Sequence, residues 1–85
     1  MTVRITVIDD RPMRRLRVEG RLTADEVPEL EQLVGTDPRA VCLDLSELRS
    51  VDGTALDVLR RLRDQGFVMK SVPQHLAFRI EGEGP

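Results

Sequence analysis

The chain opens on a strict alternation. Residues 2–8, T-V-R-I-T-V-I, set Val3, Ile5 and Val7 to one side and Thr2, Arg4 and Thr6 to the other, the period of two that marks a strand with one buried face. Asp9-Asp10-Arg11-Pro12 is turn chemistry. The alternation returns over residues 15–22, with Leu16, Val18 and Leu22 on the inner side, so the two segments read as an antiparallel hairpin. Then the period changes. Thr23-Ala24-Asp25-Glu26 has capping-box spacing, and Val27, Leu30, Leu33 and Val34 recur at helical intervals as far as Gly35, a natural stop with Pro38 shortly after it. Proline is tolerated only in the first turn of a helix, so Pro28 places the helix start near Asp25 or Glu26.

A continuous apolar run follows at residues 40–43, bounded by Pro38 and Asp44, the signature of a central strand buried on both faces. Mixed residues lead, as a loop, into an amphipathic segment that ends at Gly66. With Ala55 at zero on a wheel of about 100° per residue, Val58, Leu59 and Leu62 lie within about 60° of it. Leu56 lies about 100° away, on the expected exposed flank. Residues 67–70 predict a short strand and Ser71-Val72-Pro73 a turn. Leu76, Ala77 and Ile80 predict a last helix with Ser71 as a candidate cap. Residues 82–85 carry no apolar anchor and are expected to form a disordered tail. The order β-β-α-β-α-β-α predicts one α/β domain over residues 1–81, a mixed four-stranded sheet with helices on one face and right-handed crossovers.

Composition narrows the function classes. A chain of 85 residues holds one small core, and a formal net charge of −2 gives no general attraction to nucleic acid or anionic lipid. Arg4, Arg15, Arg17 and Arg21 share the outward face of the hairpin, but Phe67 and Phe78 are the only aromatics. RNA-reading sheets stack bases on aromatic side chains, so this face reads as solvated, with protein contact as the next choice. No segment approaches the ~20 apolar residues of a membrane span, and a cytoplasmic location is expected. Cys42 is the one cysteine and His75 the one histidine. That leaves no disulfide and no structural zinc site, with Cys42 read as a core residue and His75 as a surface one. No cofactor is expected, nor a catalytic set.

Candidate chemistry collects at Ser50-Val51-Asp52-Gly53-Thr54, between the central strand and the second helix. In sheet-and-helix folds such junctions carry binding and catalytic groups. Asp52 and Thr54 have a structural reading as N-caps, since both residue types are favoured there. Thr54 has a functional reading as well: a hydroxyl among backbone N–H groups at the positive end of a helix dipole.

Three stretches carry a family resemblance: R-L-R-V-E-G-R-L-T from Arg15, V-C-L-D-L-S from Val41, and V-D-G-T-A-L-D-V-L from Val51. Over residues 2–80 the chain resembles the STAS domain, shared by bacterial anti-sigma-factor antagonists and the cytoplasmic tails of sulfate transporters. The family loop typically runs Asp, Ser, Ser or Thr, Gly, Leu. Here Asp52 takes the aspartate, Gly53 replaces the first serine and Thr54 holds the phosphorylatable hydroxyl. Ala55 replaces the glycine and Leu56 takes the leucine. The resemblance implies a partner-binding surface of Asp52, Gly53, Thr54, Leu56 and Asp57, with Thr54 as phosphoacceptor. The implied partner is an anti-sigma factor with serine-protein kinase activity, and the implied role is transcription regulation without catalysis by this chain. The alternative is a non-phosphorylated binding or scaffold subunit of a sensory or lipid-transport complex. Many family members continue into a further strand and helix, so apolar surface left open here is a candidate for homodimer contact.

Overall fold

The computed structural model describes residues 3–10 and 12–81. Thr2 and Arg11, which belong to the expected first strand and turn, and the expected tail at 82–85 lie outside the described residues. The elements run β1 (Arg4–Asp10), β2 (Met13–Leu22), α1 (Val27–Val34), β3 (Val41–Asp44), β4 (Leu48–Val51), α2 (Gly53–Asp64), β5 (Val68–Lys70) and α3 (Gln74–Glu81).

The hairpin forms as the alternation requires, antiparallel from Arg4↔Glu19 to Asp10↔Met13. The turn is tighter than Asp9-Asp10-Arg11-Pro12 suggests, because Asp9 and Asp10 still pair with Arg14 and Met13. The sheet order is β1-β2-β3-β5, and β4 also pairs with β2. The long strand β2 therefore serves two parallel neighbours in succession: residues 14–17 pair with β3, and residues 20–22 pair with β4. This is the expected mixed α/β sheet with one short strand more. The segment before α2 is irregular at residues 45–47 and again at Asp52; residues 48–51 are β4.

Leu16, Val18 and Leu22 of β2 and Leu43 of β3 are fully buried, in one cluster with Leu30 of α1, Leu59 of α2 and Leu76 and Ile80 of α3. Arg15 and Arg17 alternate with these leucines and face the other way. Asp44 pairs in register with Arg17 on that opposite face, 3.6 Å from the Arg17 Nε. The helices thus pack on one side, as expected. They cover the centre of the sheet better than its edge: Val7 of β1 is 45% exposed although its register partner Leu16 is fully buried. The buried face expected for β1 is therefore only half-covered at Val3 and Ile5.

α1 begins at Val27 with Pro28 inside its first turn and closes at Gly35, whose φ of 73° suits a residue without a Cβ. Thr23 and Glu26 do meet, but in a turn ahead of the helix: the Glu26 carboxylate accepts from the Thr23 N–H at 3.0 Å and from its hydroxyl at 2.7 Å. An ion pair between Glu31 and Arg61 joins α1 to α2. Ser71 is not the cap of α3. It sits at φ 57° in the turn after β5, and the carbonyl of Pro73 accepts from the Leu76 and Ala77 N–H groups of the first turn of α3, each at 2.9 Å.

Candidate functional site

The sheet delivers the site to one place. β4 runs parallel to the end of β2, so the residues that follow each strand emerge side by side. The Asp52 N–H donates to the Leu22 carbonyl at 3.1 Å, which brings the start of α2 against the connection between β2 and α1.

Asp52 is the hinge of this arrangement. Its extended backbone, φ −87° and ψ 179°, makes it the N-cap of α2. One carboxylate oxygen, Oδ1, accepts from the Ala55 N–H at 2.8 Å, the usual capping bond. The other, Oδ2, accepts from the Ala24 N–H at 2.9 Å, across a separation that no local motif spans. The Ala55 N–H, then the Ala24 N–H, hold the carboxyl below its ordinary pKa, with the charge of Arg21 adding to them and partial burial opposing. One ionised side chain therefore ties two connections together.

The predicted residues separate into distinct roles. Gly53 is exposed, and a Cβ built on it would meet nothing within 4 Å. Thr54 is exposed in the first turn of α2, and its hydroxyl makes no hydrogen bond among the described residues. The cap is Asp52, and Thr54 is left over. Ala55 is fully buried beneath them. Leu56 corrects the expectation of an exposed flank: it is half-buried and packs against the core. Asp57 is exposed one turn on. Gly53, Thr54 and Asp57 are thus the accessible members, Asp52 the scaffold and Leu56 the partly covered floor.

Two residues that the sequence reading left out belong to the site. Ala24 supplies the N–H that Asp52 reaches, and the Arg21 charge adds a smaller favourable contribution to the Asp52 carboxylate. Their own sequence stretches do not point to Asp52. Only the pairing of β4 with β2 brings them near, and β4 is four residues long, too short to declare itself by alternation.

No family model matches the chain, and neither does any curated protein. Among solved structures it is similar to an uncharacterized protein of the DUF3478 family with a SpoIIAA-like fold, from Shewanella loihica PV-4. The two are 22% identical, and the likeness covers 80% of this chain and 62% of that one with a TM-score of 0.45. The chain spans less than two thirds of that structure's length. The fold itself stands on the strand order and the one-sided helices described above.

The remaining candidates resolve simply. Cys42 is buried. His75 is exposed, its Nε2 2.9 Å from the Arg49 carbonyl oxygen, which ties α3 to β4. No group of three or more His, Cys, Asp or Glu is placed to hold a metal ion among the described residues. No helix among them is long and apolar enough to cross a membrane.

Proposed function

We propose that this chain is a protein-binding module that docks a partner on the first turn of α2, with Thr54 as a phosphoacceptor that switches the contact off. The observation that carries this is the division of labour at the helix start. Asp52 supplies the cap and the tether, so the Thr54 hydroxyl is exposed and has no structural task among the described residues. The resemblance of V-D-G-T-A-L-D-V-L to the STAS loop supports the same assignment. It points to an anti-sigma factor with serine-protein kinase activity as the partner, and to a role in transcription regulation in which this chain performs no catalysis itself.

The physics of such a switch is local. A phosphate at Thr54 brings about −1.5 to −2 charges to the positive end of the helix dipole, which the folded chain accommodates. A partner surface matched to the neutral hydroxyl would meet added bulk, added charge beside Asp52 and a desolvation cost. Binding would fall while the fold persists.

A second reading keeps the docking surface and drops the switch: a scaffold subunit of a sensory or lipid-transport complex. Gly53 and Ala55 favour it, being the two places where the loop departs from the family pattern. The decisive experiment is co-purification from the native host with mass spectrometry of the partner and of Thr54, followed by Thr54→Glu. Loss of the partner on Thr54→Glu supports the switch. Undiminished capture by Thr54→Glu removes it and leaves the scaffold.

A further inference from the structure

A hollow lined by residues other than Thr54 lies where β1, β2 and β4 converge. It has a volume of about 690 Å³, and Arg4, Arg21 and Arg49 line it together with Ser50, Glu19 and Glu47. Each arginine comes from a different strand. None of the three guanidinium groups makes a hydrogen bond or ion pair among the described residues.

The backbone beneath this groove is specialised. Gly20 pairs with Leu48 and Arg21 with Ser50, so Arg49 is an extra residue opposed by none, at a shift in register. Such bulges re-aim a side chain and are frequent beside functional sites. This one is held from behind, because the Arg49 carbonyl lies 2.9 Å from His75 Nε2 on α3. On the neighbouring strands Arg4 stands opposite Glu19 and Arg21 opposite Ser50, which places all of these on the helix-free side.

We infer that this groove is a second docking surface, built to receive an extended acidic segment of the protein partner whose main contact is the start of α2. Guanidinium groups recognise carboxylates through paired N–H donors, and three unpaired ones along one groove suit carboxylates presented in succession. Glu19 and Glu47 argue for a peptide over a compact polyphosphate. They would repel a dense anionic charge, yet they can accept from the amide N–H groups of an extended chain. A nucleobase would find no aromatic surface, since neither Phe67 nor Phe78 lines the groove. Continuity supports the same partner: β4 carries Arg49 and Ser50 in the groove and leads directly into Asp52 and α2.

The inference rests on the protein-binding reading of α2, and the experiment keeps the two separable. The full chain is titrated with a fluorescein-labelled oligoglutamate peptide, a serine-rich peptide of equal length and inorganic pyrophosphate, at about 0.15 M salt. The acidic peptide should bind and the serine-rich one should not. Arg49→Gln and Arg21→Gln should each weaken binding about three- to tenfold, the range for a charge-assisted contact discounted for exposure. Glu47→Gln should tighten it about two- to threefold by removing a like charge. Thr54→Glu should leave it unchanged, whatever that variant does to partner capture. Undiminished binding by Arg49→Gln, absence of peptide binding, or an equal loss on Thr54→Glu would each overturn the assignment. Pyrophosphate binding tighter than the peptide would overturn it in favour of a small phosphate ligand.

Discussion

Replacing Thr54 by alanine separates a structural hydroxyl from a functional one, and the structure sets the sign of the result. Were Thr54 the N-cap of α2, its removal would cost about 1 kcal/mol. For a domain of this size that is a fall in Tm of about 4–8 °C. The cap is instead Asp52, through a 2.8 Å bond to the Ala55 N–H. Thr54 lies inside the helix, exposed, with no side-chain hydrogen bond among the described residues. What remains is intrinsic preference. Alanine is favoured over threonine in a helix by about 0.5 kcal/mol, because the branched side chain loses rotamer freedom against the preceding turn. Placement in the first turn reduces this to roughly 0.3–0.5 kcal/mol, so Thr54→Ala should raise Tm by about 1–4 °C. Urea unfolding followed by far-UV circular dichroism measures the same difference at constant temperature. A destabilisation near 1 kcal/mol, the size of a lost cap, would show that the hydroxyl has a structural partner and would remove the ground for calling it free. A stabilised Thr54→Ala that no longer takes phosphate would confirm both halves of the reasoning.

Asp52→Ala should lower Tm more than Asp52→Asn does, since alanine loses both bonds whereas an amide oxygen can still accept one; faster hydrogen exchange at the Ala24 amide would locate the broken tether. Gly53→Ser should fold normally and gain about 0.5 kcal/mol, because its Cβ enters open space and the unfolded chain loses freedom; a loss of stability would reveal a contact not accounted for. Acid should destabilise the domain through three carboxylates whose pKa values are lowered in the folded state. Asp52 is held mainly by the Ala55 N–H, Asp44 by the Ser46 N–H and Glu26 by the Thr23 hydroxyl. A lowered folded pKa means that the unfolded chain binds protons first as pH drops. The stabilisation is therefore complete above about pH 5 and is lost as pH falls through the carboxylate range near 4 and below. Tm measured from neutral pH to about pH 3 should fall in that window, and the fall should be smaller in Asp52→Ala.

Much of this fold was legible because its patterns are long. β2 shows alternation over residues 15–22, and α2 carries Ala55, Val58, Leu59 and Leu62 on one stripe through its twelve residues. Both follow from a single buried face imposed on a regular backbone. β4 escaped notice for the opposite reason. Four residues with one buried leucine, Leu48, give too little periodicity, and what makes them a strand is the far end of β2, a partner that local pattern does not contain. Leu56 escaped in a related way, since a wheel reports angle around one helix and not how far its neighbours wrap it. At the site, Asp52 as a cap was legible from residue type and position. Its second bond, to Ala24, is a tertiary fact.

That second bond gives the site its mechanical character. A cap alone would leave the connection between β2 and α1 free to move against the start of α2. With Asp52 holding the Ala24 N–H and the Leu22 carbonyl accepting the Asp52 N–H, the two connections share one anchor, and the surface around Gly53 and Thr54 is set before any partner arrives. Preorganised surfaces bind with less ordering cost, and they make a small chemical change count, because no loop can shift to accommodate it. The same anchor explains how modification could act without unfolding. The Thr54 side chain bears none of the bonds that hold the helix start, so a phosphate there would change what a partner meets and would leave the Asp52 contacts in place. Moving the hydroxyl to the cap position would couple signal to stability. On the proposed reading, capping and signalling would reside on neighbouring residues, so that one would stay fixed while the other changed.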